Sequence, residues 1–138
     1  MNTIKIVNNW IPFKGFVAMT FLFLIFIRKE NECKYTKEVE RHEYIHIAQQ
    51  FECLILGILM CLLLWVFDCS WYSLLPVGLF YWVYGLEFLI KLPLCNFNRK
   101  TAYYAVSFER EAFEFQNDLN WVNIRPGFYW IRYIITLL

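Results

Sequence analysis

The fold is decided by residues 53–67, which read CLILGILMCLLLWVF and contain no charged or strongly polar side chain. After a break at residues 68–70, a second apolar stretch extends from Trp71 to Ile90 and carries a single charge, Glu87. Two such stretches predict a helical hairpin in a bilayer. The first stretch, about 22 Å long as a helix, spans only if its ends reach the interface or the bilayer thins. We therefore expect a transmembrane or monotopic hairpin, with a buried hairpin of a soluble protein as the alternative.

The composition agrees with a small membrane domain. Hydrophobic residues make up 59% of the 138 residues and aromatic residues 21%, and this length is typical of one domain. Several aromatic residues lie where an interfacial belt is expected, namely Trp65, Trp71, Tyr72, Tyr81, Trp82 and Tyr84. The net charge of +1, without a basic stripe, argues against a nucleic-acid partner. We expect one domain, residues 1–138, in contact with the lipid bilayer, and the sequence leaves its oligomeric state open.

The five cysteines are scattered, odd in number and without a C-x-x-C pair. This pattern argues against both a disulfide framework and a cysteine-based zinc site.

The N-terminal residues 1–35 favour a small β element over a membrane helix. Ile4–Val7 and Phe16–Ile27 are rich in β-branched and aromatic residues, which suit strands. The second segment is long enough to form a hairpin that turns near Thr20. A signal-anchor helix over residues 15–27 is the alternative.

The polar residues that precede the apolar stretch contain both histidines of the chain. They read His42-Glu43-Tyr44-Ile45-His46, the H-E-x-x-H signature of zinc metallohydrolases. Thr36 is a suitable N-cap for one helix over residues 36–67 that carries this motif into the membrane. Residues four apart share a helix face, so His42 and His46 can bind one Zn²⁺ while Glu43 reaches a water on that ion.

Charge placement predicts the orientation of the hairpin. The basic residues flank the motif side, namely Arg28, Lys29, Lys34, Lys37, Arg41, Lys91, Arg99 and Lys100. The opposite loop offers only Asp68. The positive-inside rule then predicts a cytoplasmic active site.

The second membrane helix is expected over residues 71–91, followed by a turn and a short extended stretch. Ser107 is a suitable cap for another helix, residues 107–120. The aromatic tail, residues 128–138, is expected to lie amphipathically on the bilayer surface or on the hairpin.

Catalytic zinc takes three protein ligands, and the chain has no third histidine. An acidic residue must therefore complete the set. Glu87 of the hairpin is disfavoured by its depth in the predicted membrane, and the downstream acids are Glu109, Glu111, Glu114 and Asp118. Glu109, Glu111 and Glu114 point in different directions around the helix predicted over residues 107–120.

Together, the two motifs resemble the gluzincin metallopeptidases. The segment Phe108-Glu109-Arg110-Glu111-Ala112 is similar to the E-x-x-A-D motif of the membrane-embedded CAAX prenyl protease and HtpX-like group. It also resembles short bacterial membrane proteins with the same two motifs. The resemblance implies Glu109 as third zinc ligand, although this chain has Phe113 where the family has a supporting aspartate. Glu111 remains an alternative, as does Glu114, for which Asp118 preserves the glutamate-to-aspartate spacing.

The function expected from these features is a zinc-dependent metalloendopeptidase integral to the bacterial inner membrane. A zinc-activated water would hydrolyse peptide bonds of a peptide or membrane-protein substrate, with Glu43 as general base. The alternatives are a metal-binding scaffold or chaperone-like membrane protein without turnover, and a hydrolase that acts on a lipid or another amide.

Overall fold

The protein is mainly helical with a small N-terminal sheet of three strands, as the sequence predicts. The structure is a computed structural model that describes residues 3–67 and 71–134. Its strands are β1 (Ile4–Asn8), β2 (Ala18–Phe21) and β3 (Leu24–Arg28). Its α-helices are α1 (Lys37–Val66), α2 (Leu79–Leu94), α3 (Arg99–Ala105), α4 (Ser107–Phe115), α5 (Trp121–Ile124) and α6 (Ile131–Ile134), and 3-10 helices cover Lys29–Lys34 and Trp71–Gly78.

The chain forms two compact units. The first contains residues 1–48 and 112–125, and the second contains residues 49–111 and 126–138. Both α1 and α4 therefore contribute residues to each unit.

The sheet belongs to the first unit and has the order β1-β3-β2. The central strand β3 is parallel to β1 and antiparallel to β2. The predicted strands and hairpin are thus present, but the hairpin turns at residues 22–23 rather than near Thr20, and Leu22 adopts a positive φ of 50° there. The alternative of a signal-anchor helix is wrong, because these residues pair as strands.

One face of the hairpin forms the core of the first unit. Ala18, Ile25 and Ile27 alternate along β2 and β3 and pack with Ile47 of α1. This alternation is the period-two pattern of a sheet with one buried face. It fixes the register so that Thr20, two residues after Ala18, also points inward and is buried.

Helix α1 confirms the predicted long helix that carries the H-E-x-x-H motif. Thr36 caps it, since its hydroxyl oxygen accepts a hydrogen bond from the backbone N–H of Val39 at 3.4 Å. The helix then continues for 30 residues to Val66. Its polar first turns and its apolar remainder are therefore one continuous element.

The second apolar segment differs in detail from the prediction. It begins as the 3-10 helix Trp71–Gly78, which contains Pro76, and continues as α2 to Leu94. Proline cannot donate a backbone hydrogen bond and disfavours the α conformation before it, which is consistent with the tighter first turns. Two helices, Lys37–Val66 and Leu74–Leu94, are long and apolar enough to cross a membrane.

The connection from α2 to α4 is helical, so the predicted extended stretch is wrong. Helix α3 is capped by Asn98, whose side-chain oxygen accepts hydrogen bonds from the N–H groups of Lys100 and Thr101. Helix α4 ends at Phe115, earlier than the predicted residue 120. Ser107 is its first residue rather than its cap, and the Ser107 hydroxyl donates to Glu87.

The core of the second unit surrounds Phe108. Its buried members are Cys53, Phe80, Val106, Phe108 and Trp130. Trp130 and the short helix α6 belong to the predicted tail, of which residues 135–138 lie outside the described residues. This cluster packs around the start of α4. Glu109 lies two residues after the first residue of that helix.

Candidate metal centre

The two histidines of α1 converge at their tips. His42 and His46 are both buried, with 6% and 7% of their surface exposed. Their Nε2 atoms lie 3.0 Å apart, and the rings meet edge to face. Two nitrogens at about 2.0–2.1 Å from one zinc ion can be separated by such a distance. The one-turn spacing read from the sequence therefore produces a pair of imidazoles that can share an ion.

Glu43 follows His42 on the same helix and is also buried. A carboxylate oxygen, Oε2, accepts a hydrogen bond from the hydroxyl of Thr20 on β2. This hydrogen bond restricts the rotamer of the Glu43 side chain.

Burial raises the pKa of the Tyr35 phenol, and the negative charges of Glu40 and Glu43 raise it further. This tyrosine therefore stays protonated and neutral at physiological pH. Its ring packs on the core of the first unit, where Lys5 lies 5.5 Å from the ring centroid.

Glu109 lies in the first turn of α4 and is 3% exposed. Its Oε1 atom accepts a hydrogen bond from the hydroxyl of Tyr84 on α2 at 3.0 Å. A buried carboxylate needs such a partner, because desolvation of an unpaired charge is costly. Tyr84 therefore satisfies one oxygen of the buried Glu109 carboxyl group.

The structure brings His42, His46 and Glu109 together in one buried group that could hold a metal ion. One ligand atom from each residue lies within 4.8 Å of the other two. Two imidazoles and a carboxylate are ligands that several divalent metals accept, zinc among them.

The other acidic candidates for the third ligand have different surroundings. Glu111 is wholly buried and accepts a hydrogen bond from Nε2 of Gln49 at 3.0 Å. The same Gln49 nitrogen donates to the carbonyl of Phe108 at 3.1 Å. Glu114 is exposed. Neither belongs to a group of potential ligands within the described part of the chain.

Two residues that touch the centre do not stand out in the sequence. Thr20 is a polar residue at an inward-facing position of an apolar strand, and this break in the alternation is a weak signal of a buried polar contact. Tyr84 resembles an interfacial aromatic residue in the sequence, whereas its hydroxyl bonds to Glu109. Both partners are distant in the sequence, so the contacts follow from the fold.

No known protein family, curated protein or solved structure matches the chain.

Proposed function

We propose that the protein is an integral-membrane zinc metalloendopeptidase. The observation that supports this proposal is the buried group of His42, His46 and Glu109, with Glu43 next to the first histidine on α1. Two imidazoles and one carboxylate are the ligand set of an open, catalytic zinc site rather than a closed, structural one. A peptidase also needs a general base close to that ion. Glu43 can supply it, because this residue directly follows the proposed ligand His42 on α1.

In the proposed reaction, His42, His46 and Glu109 would hold a zinc ion, which would supply Lewis acidity towards water and the scissile carbonyl. Glu43 accepts a proton from the attacking water as the new carbon–oxygen bond forms. Glu43 then delivers this proton to the leaving nitrogen as the carbon–nitrogen bond breaks. The products are a carboxylic acid and an amine, which exchange the second proton of the water to become a carboxylate and an ammonium group, and Glu43 returns to its initial state. The hydrogen bond from Thr20 keeps the Glu43 carboxylate oriented between these two transfers.

The proposed location is the bacterial inner membrane, with the centre on the cytoplasmic side. Support comes from the two apolar helices, since only 28% of the most apolar part of α1 and 6% of that of the second helix are buried. Outward-facing leucine, isoleucine and tryptophan side chains on helices of this length are suited to lipid. The substrate that fits such a location is a peptide or a membrane protein.

The test uses protein purified in mild detergent. We expect about one zinc per chain in the wild type and Glu43→Gln, and little zinc in His42→Ala or His46→Ala. In a peptide-library assay with mass-spectrometric detection, the zinc-loaded wild type should cleave peptides and Glu43→Gln should not. Full zinc content without cleavage of peptides, lipids or other amides would support the scaffold alternative. Wild-type protein that binds no zinc would contradict both the peptidase and the metal centre.

A further inference from the structure

Helix α2 is apolar apart from one line of polar side chains on a single face. Tyr84, Glu87 and Lys91 are three and four residues apart, a spacing that aligns them along a helix. Glu87 and Lys91 are the only charged residues of α2. We call these three residues the polar stripe. In a helix suited to lipid, polar residues are costly unless they make specific contacts, so the stripe needs a structural explanation.

Glu87 and Lys91 of the polar stripe bind the start of α4 through hydrogen bonds. The Lys91 ammonium pairs with Glu87 Oε1 at 2.6 Å and also donates to the carbonyl of Ala105. The Glu87 carboxylate in turn accepts two hydrogen bonds from Ser107, from the backbone N–H at 2.9 Å and from the hydroxyl at 2.6 Å. A carboxylate at this position satisfies a backbone donor of the first helical turn and interacts favourably with the helix dipole.

Tyr84, at the N-terminal end of the polar stripe, contacts α4 two residues after Ser107, at Glu109. The ring of Tyr84 lies nearly parallel to that of Phe108, with an interplanar angle of 6°, and it also contacts Phe80. These contacts restrict the ring, so that its hydroxyl has a defined position. From there the hydroxyl donates to Glu109 Oε1 at 3.0 Å. One oxygen of the carboxylate is thereby fixed, and with it the direction in which the carboxylate points.

We propose that Tyr84 is a positioning residue for metal binding, whose hydroxyl orients the Glu109 carboxylate while Glu87 and Lys91 fix the helix that carries it. This inference rests on the proposed function in one respect, namely that Glu109 is a metal ligand. Groups that hydrogen-bond to metal ligands set the ligand orientation, and their loss weakens metal binding about 10–100-fold. The stripe then explains why a membrane helix retains these polar side chains.

The experiment compares Tyr84→Phe with Tyr81→Phe in the full-length protein. Both changes delete one phenol hydroxyl from α2, but Tyr81 is 46% exposed and its ring contacts Phe80. The dissociation constant for Zn²⁺ is measured by competition with a chelator. We expect Tyr84→Phe to raise it about 10–100-fold, and Tyr81→Phe to leave it within about twofold of the wild type.

Two further measurements separate positioning from a general folding defect. The visible absorption spectrum of the Co²⁺-substituted protein reports the coordination geometry, and it should change in Tyr84→Phe and not in Tyr81→Phe. Metal measurements are made on the monodisperse fraction, so that incomplete folding lowers the yield and leaves the dissociation constant unaffected. The thermal midpoint of the metal-free protein should fall in Tyr84→Phe, because the buried Glu109 carboxyl group loses a hydrogen-bond partner, whereas the cobalt spectrum of the folded fraction reports the metal coordination alone.

An unchanged zinc dissociation constant and an unchanged cobalt spectrum in Tyr84→Phe would overturn the inference and leave the proposed function intact. Wild-type protein that binds neither metal would instead overturn the proposed function, and the role of Tyr84 with it.

Discussion

The ring of Phe113 packs against the imidazole of His42, with their centroids 4.5 Å apart and their planes inclined by 59°. In the peptidases that the two motifs resemble, this position of the second motif is an aspartate. Here the contact to the first histidine is apolar. Phe113 therefore restricts the orientation of the His42 ring by packing rather than by a hydrogen bond.

We expect Phe113→Ala to weaken zinc binding about tenfold, because the His42 ring loses a surface that restricts its rotation. The measurement is a zinc titration by chelator competition. Phe97→Ala is the control, since Phe97 is 72% exposed. Equal zinc affinities of the two variants would show that the Phe113 contact does not influence the ligand.

Removal of the Thr20 hydroxyl should affect turnover rather than metal content, because this hydroxyl donates to Glu43. Thr20→Val is nearly isosteric and removes the donor to Glu43. We expect kcat to fall about tenfold, well short of the 10²–10⁴-fold contribution of a general base, while zinc content stays the same. The metal-free protein should lose about 1–3 kcal/mol of stability, because a buried carboxylate loses a partner. Thr101→Val, at an exposed position of α3, is the control, and an unchanged kcat in Thr20→Val would exclude a positioning role.

Gly57 allows a close approach of two backbones within the second unit. A Cβ atom built at this position of α1 would overlap the backbone carbonyl group of Pro76. The distance from that Cβ to the carbonyl carbon of Pro76 would be only 2.9 Å. Gly57→Ala should therefore lower the stability by about 1–3 kcal/mol, the usual cost of overpacking. Gly85 of α2 is the matched control, because a Cβ there would meet nothing within 4 Å. Gly85→Ala should be neutral or slightly stabilising. Thermal unfolding in detergent measures both, and equal midpoints would contradict the predicted overlap.

The orientation of the hairpin can be tested with native cysteines. Cys33 is exposed and lies on the motif side of α1, and Cys69 belongs to the opposite loop, which lies outside the described residues. Two proteins are compared, each retaining one of these cysteines, with the other four replaced by serine or alanine. In intact bacterial cells, a membrane-impermeant thiol reagent should label Cys69 and not Cys33. The reverse pattern would place the centre outside the cytoplasm, and protection of both would indicate a re-entrant hairpin.

The sequence predicts those parts of the protein that depend on local patterns. The cap at Thr36, the long helix α1 and the pairing of His42 with His46 all follow from the spacing of residues within one helix. The β element follows from its β-branched and aromatic composition. The position of the hairpin turn and the helix α3 are not predicted, because Leu22 has no strong turn signal and the capping role of Asn98 was not apparent.

Contacts between distant segments could not be read from the sequence at all. Glu87 looks like an isolated charge in an apolar segment, yet its role depends on Lys91 and on Ser107, which lies 20 residues away. The contact between Tyr84 and Glu109 is likewise a product of the fold. For the same reason, the sequence left three candidates for the third ligand, and a choice among them required the surroundings of each side chain.

The third ligand is the most informative site for mutation. Glu109→Gln should weaken zinc binding severely, because the carboxylate that groups with His42 and His46 becomes neutral. Glu114→Gln changes an exposed residue and should alter neither zinc binding nor stability.

Glu111→Gln distinguishes a role in folding from a role in metal binding, because Glu111 is wholly buried and hydrogen-bonded to Gln49. It should lower the thermal midpoint of the metal-free protein, because a buried hydrogen-bonded group is changed. The zinc dissociation constant of the folded fraction should stay within about threefold of the wild type, because Glu111 is not one of the three proposed ligands. If Glu114→Gln instead loses zinc and Glu109→Gln retains it, the second motif is shifted by five residues and Asp118, rather than Phe113, lies at the supporting position.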